Sequence, residues 1–178
     1  AHLPVDGDLL LAGGELVWRA GPLAKGPGLC HGTAGNGYAF LKLHARTGEK
    51  KYLDLAREVV NEFAEPSAGD YLAAALAGKP FYQCRKPRWE SLHPILGLAE
   101  LYRITGDDDD RRAFEQLWWS IAEYDRHNNG GFSSGEQAQG NPYHGGAIET
   151  CCTIAWMANS VEMLKLSGNP VVADELEL

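Results

Sequence analysis

The feature of this sequence that most constrains its fold is a turn that occurs three times. Helix-like segments run into Thr47-Gly48, Thr105-Gly106 and Ser167-Gly168, and each pair is followed by polar residues and a second helical pattern. A glycine just past the end of a helix suits the left-handed backbone conformation, and Asp107 and Asn169 can cap the helix that follows. The sequence therefore predicts three helical hairpins whose turns lie roughly 60 residues apart along the chain.

Apolar periodicity places six helices and separates them into two kinds. The first, third and fifth are rich in Gly, Ala and Leu and are expected to form an inner layer, whereas the others carry more charge and are expected to form an outer layer. The predicted helices span approximately residues 34–47, 50–64, 89–105, 109–126, 147–167 and 170–178. A short helix at 69–77 fits the first long loop, and residues 1–28 form either a short hairpin or an irregular cap.

Alternating inner and outer helices predict an all-α fold in which the three hairpins form half of an α/α toroid. Half a ring leaves its inner face and its two ends open to solvent. Because large exposed apolar surfaces are unfavourable, a two-fold homodimer that completes the ring is the expected assembly. The alternative is a compact six-helix bundle.

The composition limits the kinds of partner that the chain can have. Its 178 residues suffice for one domain, and its formal charge of −8 argues against nucleic acid or an anionic membrane as the main partner. No basic segment followed by an apolar run is present, which predicts a cytoplasmic protein. In that reducing compartment the four cysteines are expected to be thiols or metal ligands rather than disulfides.

The adjacent residues Cys30 and His31 lie in a glycine-rich stretch immediately before the first predicted helix. Zinc prefers thiolate and imidazole ligands, so this pair is a candidate for half of a zinc site. The alternative is a buried thiol with no ligand role.

The segment from Glu15 to Gly48, "ELVWRAGPLAKGPGLCHGTAGNGYAFLKLHARTG", resembles the lanthionine synthetase C-like proteins. By this resemblance Cys30 and His31 are zinc ligands of a Cys-His-Gly motif, and the zinc activates a peptide thiol. The third ligand of that family, a cysteine in a Trp-Cys-x-Gly context, has no match in this sequence.

Residues 52–178, including "HNNGGFSSGEQAQGNPYHGGAIETCCTIAW", resemble the β-L-arabinofuranosidase-like toroids of glycoside hydrolase family 127. The resemblance implies that Glu149 and Cys151 of a Glu-Thr-Cys motif are zinc ligands and that Glu136 is the acid/base. The nucleophile of that family is a later cysteine, in a cysteine-pair motif that the matching segment does not contain. Cys152 does not replace it, since consecutive residues of a helix point to different sides and Cys152 adjoins a ligand.

Further side chains are candidates for binding a sugar at the same end of the toroid. His93 and His144 can bind sugar or metal. The alternative is that each only makes hydrogen bonds within the protein or lies exposed to solvent. Glu136 can equally be a solvated loop residue. The aromatic candidates for stacking on a sugar ring are Trp89, Tyr143 and Trp156, whereas Trp118 and Trp119 are expected to be packing residues.

The two resemblances meet in the turn of the first hairpin, which suggests a recombined or designed chimera; the alternative is a natural truncated homologue. The first functional hypothesis is accordingly a toroid scaffold that binds zinc and has no intact native active site. A hybrid zinc site would combine Cys30, His31, Cys151 and Glu149. The alternatives are a zinc-dependent glycoside hydrolase and a lanthionine synthetase C-like protein acting on peptide thiols, of which the hydrolase is favoured if the chain is an enzyme.

Overall fold

The computed structural model describes residues 7–20, 33–64, 70–85, 87–88, 91–132, 135 and 137–178. Within these ranges the regular structure is helical. The eight α-helices are α1 (Gly7–Arg19), α2 (Thr33–Thr47), α3 (Lys50–Ala64), α4 (Tyr71–Leu76), α5 (Leu92–Thr105), α6 (Asp108–Tyr124), α7 (Thr150–Ser167) and α8 (Pro170–Glu177). The described residues form no β-strand beyond two isolated bridges, Arg88 with Gln137 and Arg126 with Phe132.

The three hairpin turns have the same hydrogen bonds. The hydroxyl of Thr105 donates to the carbonyl oxygen of Leu101 at 2.8 Å and accepts from the backbone N–H of Asp107 at 3.1 Å. Thr47 and Ser167 make the equivalent pairs of bonds in the other two turns. The glycine that follows each hydroxyl residue has a positive φ of 60–73°. In each turn the second bond pairs the backbone N–H of the residue that precedes the following helix, a group that a helix start otherwise leaves unpaired.

The polar residues after the glycines act as predicted. Asp107 accepts from the backbone N–H of Asp109 at 3.0 Å, and Asn169 accepts from Val171 N–H at 3.0 Å with Pro170 in the first turn. Each cap satisfies one of the free N–H groups at the start of its helix. The predicted caps are therefore confirmed.

The helices form two layers. The inner helices stand in the order α2, α5, α7, and each packs against the next. The outer helices α3, α6 and α8 pack against their own hairpin partners, and α4 lies against α3 and α6. The all-α fold and the arc of hairpins expected of a partial toroid are thus confirmed.

Aromatic side chains fill the core between the second and third hairpins. The indole rings of Trp118 and Trp156 stack with their centroids 5.1 Å apart, and Trp118 Nε1–H donates to Ser160 Oγ at 3.1 Å. Phe132 packs on Trp156, and Phe81 packs on Phe132. Trp118 is therefore a packing residue, as predicted.

The N-terminal helix α1 differs from the sequence prediction, which left a hairpin or an irregular cap open. Gly13 and Gly14 lie within the helix although glycine disfavours helix interiors. Gly14 is buried, and a Cβ there would lie 2.8 Å from Leu43 and 3.0 Å from Tyr52. Close packing of α1 on α2 and α3 thus accounts for Gly14, a tertiary effect that local sequence patterns do not reveal.

Ion pairs connect the three inner helices. Lys42 Nζ of α2 lies 2.6 Å from a carboxylate oxygen of Glu100 on α5. Arg103, also on α5, pairs with Glu100 and with Glu162 of α7. Because Glu100 is nearly buried, both of its cationic partners offset the desolvation of its charge.

We expect Thr105→Val to lower the free energy of unfolding by about 1 kcal/mol, because both hydrogen bonds of the hydroxyl are lost while the side-chain shape is kept. Thr105→Ser keeps the hydroxyl and is the matched control. Urea unfolding followed by circular dichroism measures the difference. Equal stability of the Val and Ser variants would show that the shared turn contributes nothing.

Candidate metal centre

The start of α7 brings together a carboxylate and two thiols. One ligand atom from each of Glu149, Cys151 and Cys152 can be chosen so that all three lie within 4.8 Å of one another. These three form the candidate metal group among the residues that the structure describes. Two of them, Glu149 and Cys151, are the ligands that the sequence predicts.

The helix start explains why the Glu149 carboxylate is available to a ligand. Glu149 is the N-cap of α7 with an extended backbone (φ −93°, ψ 135°), and its side chain makes no capping hydrogen bond. Its carbonyl oxygen instead accepts from the backbone N–H of Thr153 at 3.1 Å. The carboxylate accepts from Cys151 Sγ at 3.3 Å. The first hydrogen bond of α7 is thus accepted by the backbone of Glu149, and its carboxylate remains available to pair with the Cys151 thiol.

The two cysteines differ in burial. Cys151 is exposed, whereas Cys152 is fully buried against the core. They therefore point to different sides of the helix, as expected, yet the Cys152 sulfur still lies within reach of the same group. The sequence prediction named Glu149 and Cys151 as ligands and did not include Cys152, because helix periodicity does not show how close neighbouring sulfurs come at a helix end.

The donor set suits zinc. Zinc ligands about 2.0–2.3 Å from the ion stand roughly 3.3–3.8 Å apart in a tetrahedron. The ligand atoms of the three groups, which lie within 4.8 Å of one another, are therefore close to the spacing that one ion requires. Desolvation and the hydrogen bond and charge of Glu149 raise the pKa of the Cys151 thiol above its ordinary value. A divalent cation between thiol and carboxylate would reverse this effect by compensating both negative charges.

The predicted sugar-binding residues lie in different places. His93 is in the first turn of α5 and lines the inner face, whereas Tyr143 and His144 belong to the exposed loop before α7. Tyr143 is 83% exposed. Burial, together with the charge of His144, lowers the pKa of the nearby His127. Trp156 is only 1% exposed, so the prediction that it stacks on a sugar is wrong.

Four predicted site residues lie outside the described residues. These are Cys30, His31, Trp89 and Glu136. Their roles stay predictions, as does the hybrid zinc site that needs Cys30 and His31. The described part of the loop that carries Glu136 is anchored by Asp125, whose carboxylate accepts from the backbone N–H groups of Gln139 and Gly140 at 2.9 and 2.7 Å.

A cavity of about 320 Å³ opens on the inner face and was not identified from the sequence. It is lined by residues of all three inner helices: Tyr38, His93, Leu96, Glu100, Ala158, Val161 and Glu162. His93 is the only one of these that sequence patterns singled out. The others become neighbours only when the hairpins pack side by side, so the prediction of an inner layer was the available signal.

Fold and site together define a helical-hairpin toroid protein with a carboxylate and thiols clustered at one helix start. Residues 24–178 match the model of the β-L-arabinofuranosidase GH127 catalytic domain, so the chain belongs to that family. The match begins within the segment that resembles lanthionine synthetase C-like proteins and so overlaps it.

Curated relatives support the second resemblance over short stretches. The chain is 55% identical over 40 residues to glutathione S-transferase LANCL1 of Danio rerio, covering 22% of this chain and 10% of that protein. It is 40% identical over 77 residues to LanC-like protein GCL1 of Arabidopsis thaliana, covering 36% of this chain and 18% of that protein. The chain therefore spans less than a fifth of the length of either relative.

Solved structures support the toroid fold. The GH127 β-L-arabinofuranosidase Ara127N of Geobacillus stearothermophilus T6 aligns with a TM-score of 0.61 at 22% identity, over 80% of this chain and 26% of its own. A second GH127 β-arabinofuranosidase aligns with a TM-score of 0.61 at 25% identity, over 79% of this chain and 23% of its own. In the described part of the chain, no helix combines the length and the apolar character needed to cross a lipid bilayer.

We expect Glu149→Gln to increase the rate at which Cys151 is alkylated at pH 8 in the presence of EDTA, roughly two- to fivefold. Removing the carboxylate removes a charge that raises the thiol pKa, so more of the reactive thiolate forms. Mass-spectrometric mapping of iodoacetamide adducts measures each cysteine separately. Buried Cys84, whose pKa burial raises to about 11, is the internal control and keeps its rate. An unchanged alkylation rate of Cys151 would contradict the effect of the Glu149 carboxylate on the thiol pKa.

Proposed function

We propose that this chain is a zinc-binding α/α-toroid scaffold without an intact native active site, in which Glu149 and Cys151 bind the metal. The observation that carries the proposal is the clustering of Glu149, Cys151 and Cys152 at the start of α7. The hydrogen bond between Cys151 and Glu149 supports it, since a proton shared by a thiol and a carboxylate is readily replaced by a cation.

The remaining ligands are proposed to come from Cys152 or from the pair Cys30 and His31. Cys152 is close enough but fully buried, so its use requires the first turn of α7 to adjust. Cys30 and His31 would complete the hybrid site of two thiolates, one imidazole and one carboxylate. A zinc ion held by all four of these ligands would have no open coordination position, so it would stabilise the fold and would not activate a substrate. The residues of the chain would hold it at the toroid end.

The chain spans 23–28% of the length of the solved glycoside hydrolases that it resembles, so glycoside hydrolysis is the second candidate function. Similarity to two toroid families supports our proposal that the chain is a recombined or designed chimera. Cys84 and Cys151 lie outside any disulfide, which supports a reducing compartment such as the cytoplasm.

We expect the protein purified with zinc and then dialysed to retain about one zinc per chain, measured by inductively coupled plasma mass spectrometry. Cys151→Ser and Glu149→Gln each remove one ligand and should weaken zinc binding at least tenfold in competition with a chromophoric chelator. Cys84→Ser removes a thiol outside the cluster and is the matched control. Equal affinity of the Cys151 and Cys84 variants would refute the proposed site, and loss of zinc in Cys152→Ala would identify the third ligand.

The second candidate function is glycoside hydrolysis, which the match over residues 24–178 favours. In this case Glu136 is the acid/base and His93 and Tyr143 contact the sugar. Release of a chromophore from an aryl β-L-arabinofuranoside, reduced at least a hundredfold in Glu136→Gln, would establish it. Absence of release supports the scaffold. Thiol addition to a dehydrated peptide, abolished by Cys30→Ala, would instead indicate the lanthionine synthetase C-like activity that the short similarity favours.

A further inference from the structure

Trp119 on α6 is partly exposed, although the sequence predicts a packing residue at this position. Its side chain is 39% exposed, whereas that of the adjacent Trp118 is only 1% exposed. The two rings stand at 90° to each other with their centroids 4.8 Å apart. The buried ring therefore supports the exposed one and restricts its orientation. A tryptophan held in this way offers a flat apolar surface to a ligand.

The Trp119 ring lines a cleft between α6 and the end of α4. The cleft has a volume of about 330 Å³, which lies at the lower end of the range for small-molecule sites, roughly 300–1,000 Å³. On the α4 side it is lined by Ala75, Leu76 and Gly78. A Cβ built on Gly78 would meet no atom within 4 Å, so the cleft is open above this residue. Both sides of the cleft belong to ranges that are described without a gap, 70–85 and 91–132.

The charged groups at the cleft are paired with opposite charges of the same helix. Arg112 lies 3.0 Å from a carboxylate oxygen of Asp109, and Glu115 lies 3.5 Å from the guanidinium of Arg111. Because each charge that lines the cleft has its own partner, the cleft favours neither an anion nor a cation. The expected ligand is therefore uncharged.

Uncharged polar groups are available beside the Trp119 ring. Gln116 is half-buried and lines the cleft one turn before Trp119. In the part of the chain that the structure describes, neither the Gln116 amide nor the Trp119 Nε1–H makes a hydrogen bond. The amide can donate and accept, and the indole N–H can donate. A sugar ring matches this arrangement, since it has an apolar C–H face and carries hydroxyl groups around its edge.

We propose that the α4–α6 cleft binds a neutral saccharide, with one sugar ring stacked on Trp119 and its hydroxyl groups hydrogen-bonded to Gln116. The cleft shares no residue with the group of Glu149, Cys151 and Cys152, so this site is additional to the candidate metal centre. A proline-rich peptide also packs on exposed aromatic rings, but such peptides dock in grooves lined by several of them. Trp119 is the one aromatic residue that lines this cleft, which favours the saccharide.

The test is isothermal titration calorimetry of the full chain with arabinohexaose, xylohexaose and cellohexaose, in EDTA so that metal has no part in the result. We expect at least one of these sugars to bind with one site per chain. Trp119→Ala should weaken that binding at least tenfold, whereas Trp119→Phe keeps an aromatic face and should retain most of the affinity. Gln116→Ala should weaken it about three- to tenfold, the equivalent of one hydrogen bond.

Tyr143→Ala is the matched control, because it removes an exposed aromatic ring that lies outside the cleft. It should leave the affinity unchanged. Loss of binding in Tyr143→Ala but not in Trp119→Ala would place the sugar at the site of the second candidate function and overturn the proposal.

Two other results would also overturn the proposal. One is the absence of heat of binding with all three sugars, and the other is binding of a polyproline peptide in their place. Circular dichroism checks that each variant is folded. If Trp119→Ala does not fold, Trp119→Phe and Gln116→Ala still decide the result, because Gln116 lies at the surface and makes no hydrogen bond within the described residues.

Discussion

The stacking of Trp118 on Trp156 is the contact on which the rest of the structure depends, because it joins an outer and an inner helix from different hairpins. Both side chains are almost fully buried. Burial of one such ring contributes about 2–3 kcal/mol, and stacking adds roughly 0.5–1.5 kcal/mol. Trp156 lies on α7 just beyond its first turn, so the same contact fixes the helix start that holds Glu149 and Cys151. The candidate site is thus positioned by the core and not by a loop.

The described part of the loop between α6 and α7 is held by a buried carboxylate, that of Asp125. Asp125 is only 2% exposed, and burial raises its pKa to about 6 although two backbone N–H groups lower it. The hydrogen bonds therefore offset the desolvation only in part. By accepting hydrogen bonds from the backbone N–H groups of Gln139 and Gly140, the carboxylate bends the chain at these two residues. The bend directs the chain that follows α6 towards the exposed residues that precede α7.

Local chemistry explains which parts of the fold could be predicted from the sequence. Gly106, Asp107 and their equivalents determine the turns through their own backbone preferences, so the six main helices lie close to their predicted positions. Helix α1 was missed because Gly14 is explained only by its contact with Leu43 and Tyr52. Likewise Glu149 and Cys151 were predicted as ligands from a motif, whereas the proximity of Cys152 and the inner-face cavity follow from packing. Sequence patterns identify ligand types, but the fold decides which of them meet.

The repeated turn also explains how one chain can be similar to two toroid families. Thr47, Thr105 and Ser167 make the same two hydrogen bonds, and every bond stays within its own hairpin. A hairpin closed in this way needs nothing from its neighbour except a complementary apolar face, as repeat proteins in general do. The first hairpin meets that requirement through α2 on α5, with Lys42 and Glu100 paired across the contact. Interchange of hairpins at such turns preserves the core, whereas a site whose ligands come from several hairpins is preserved only if all of them are kept.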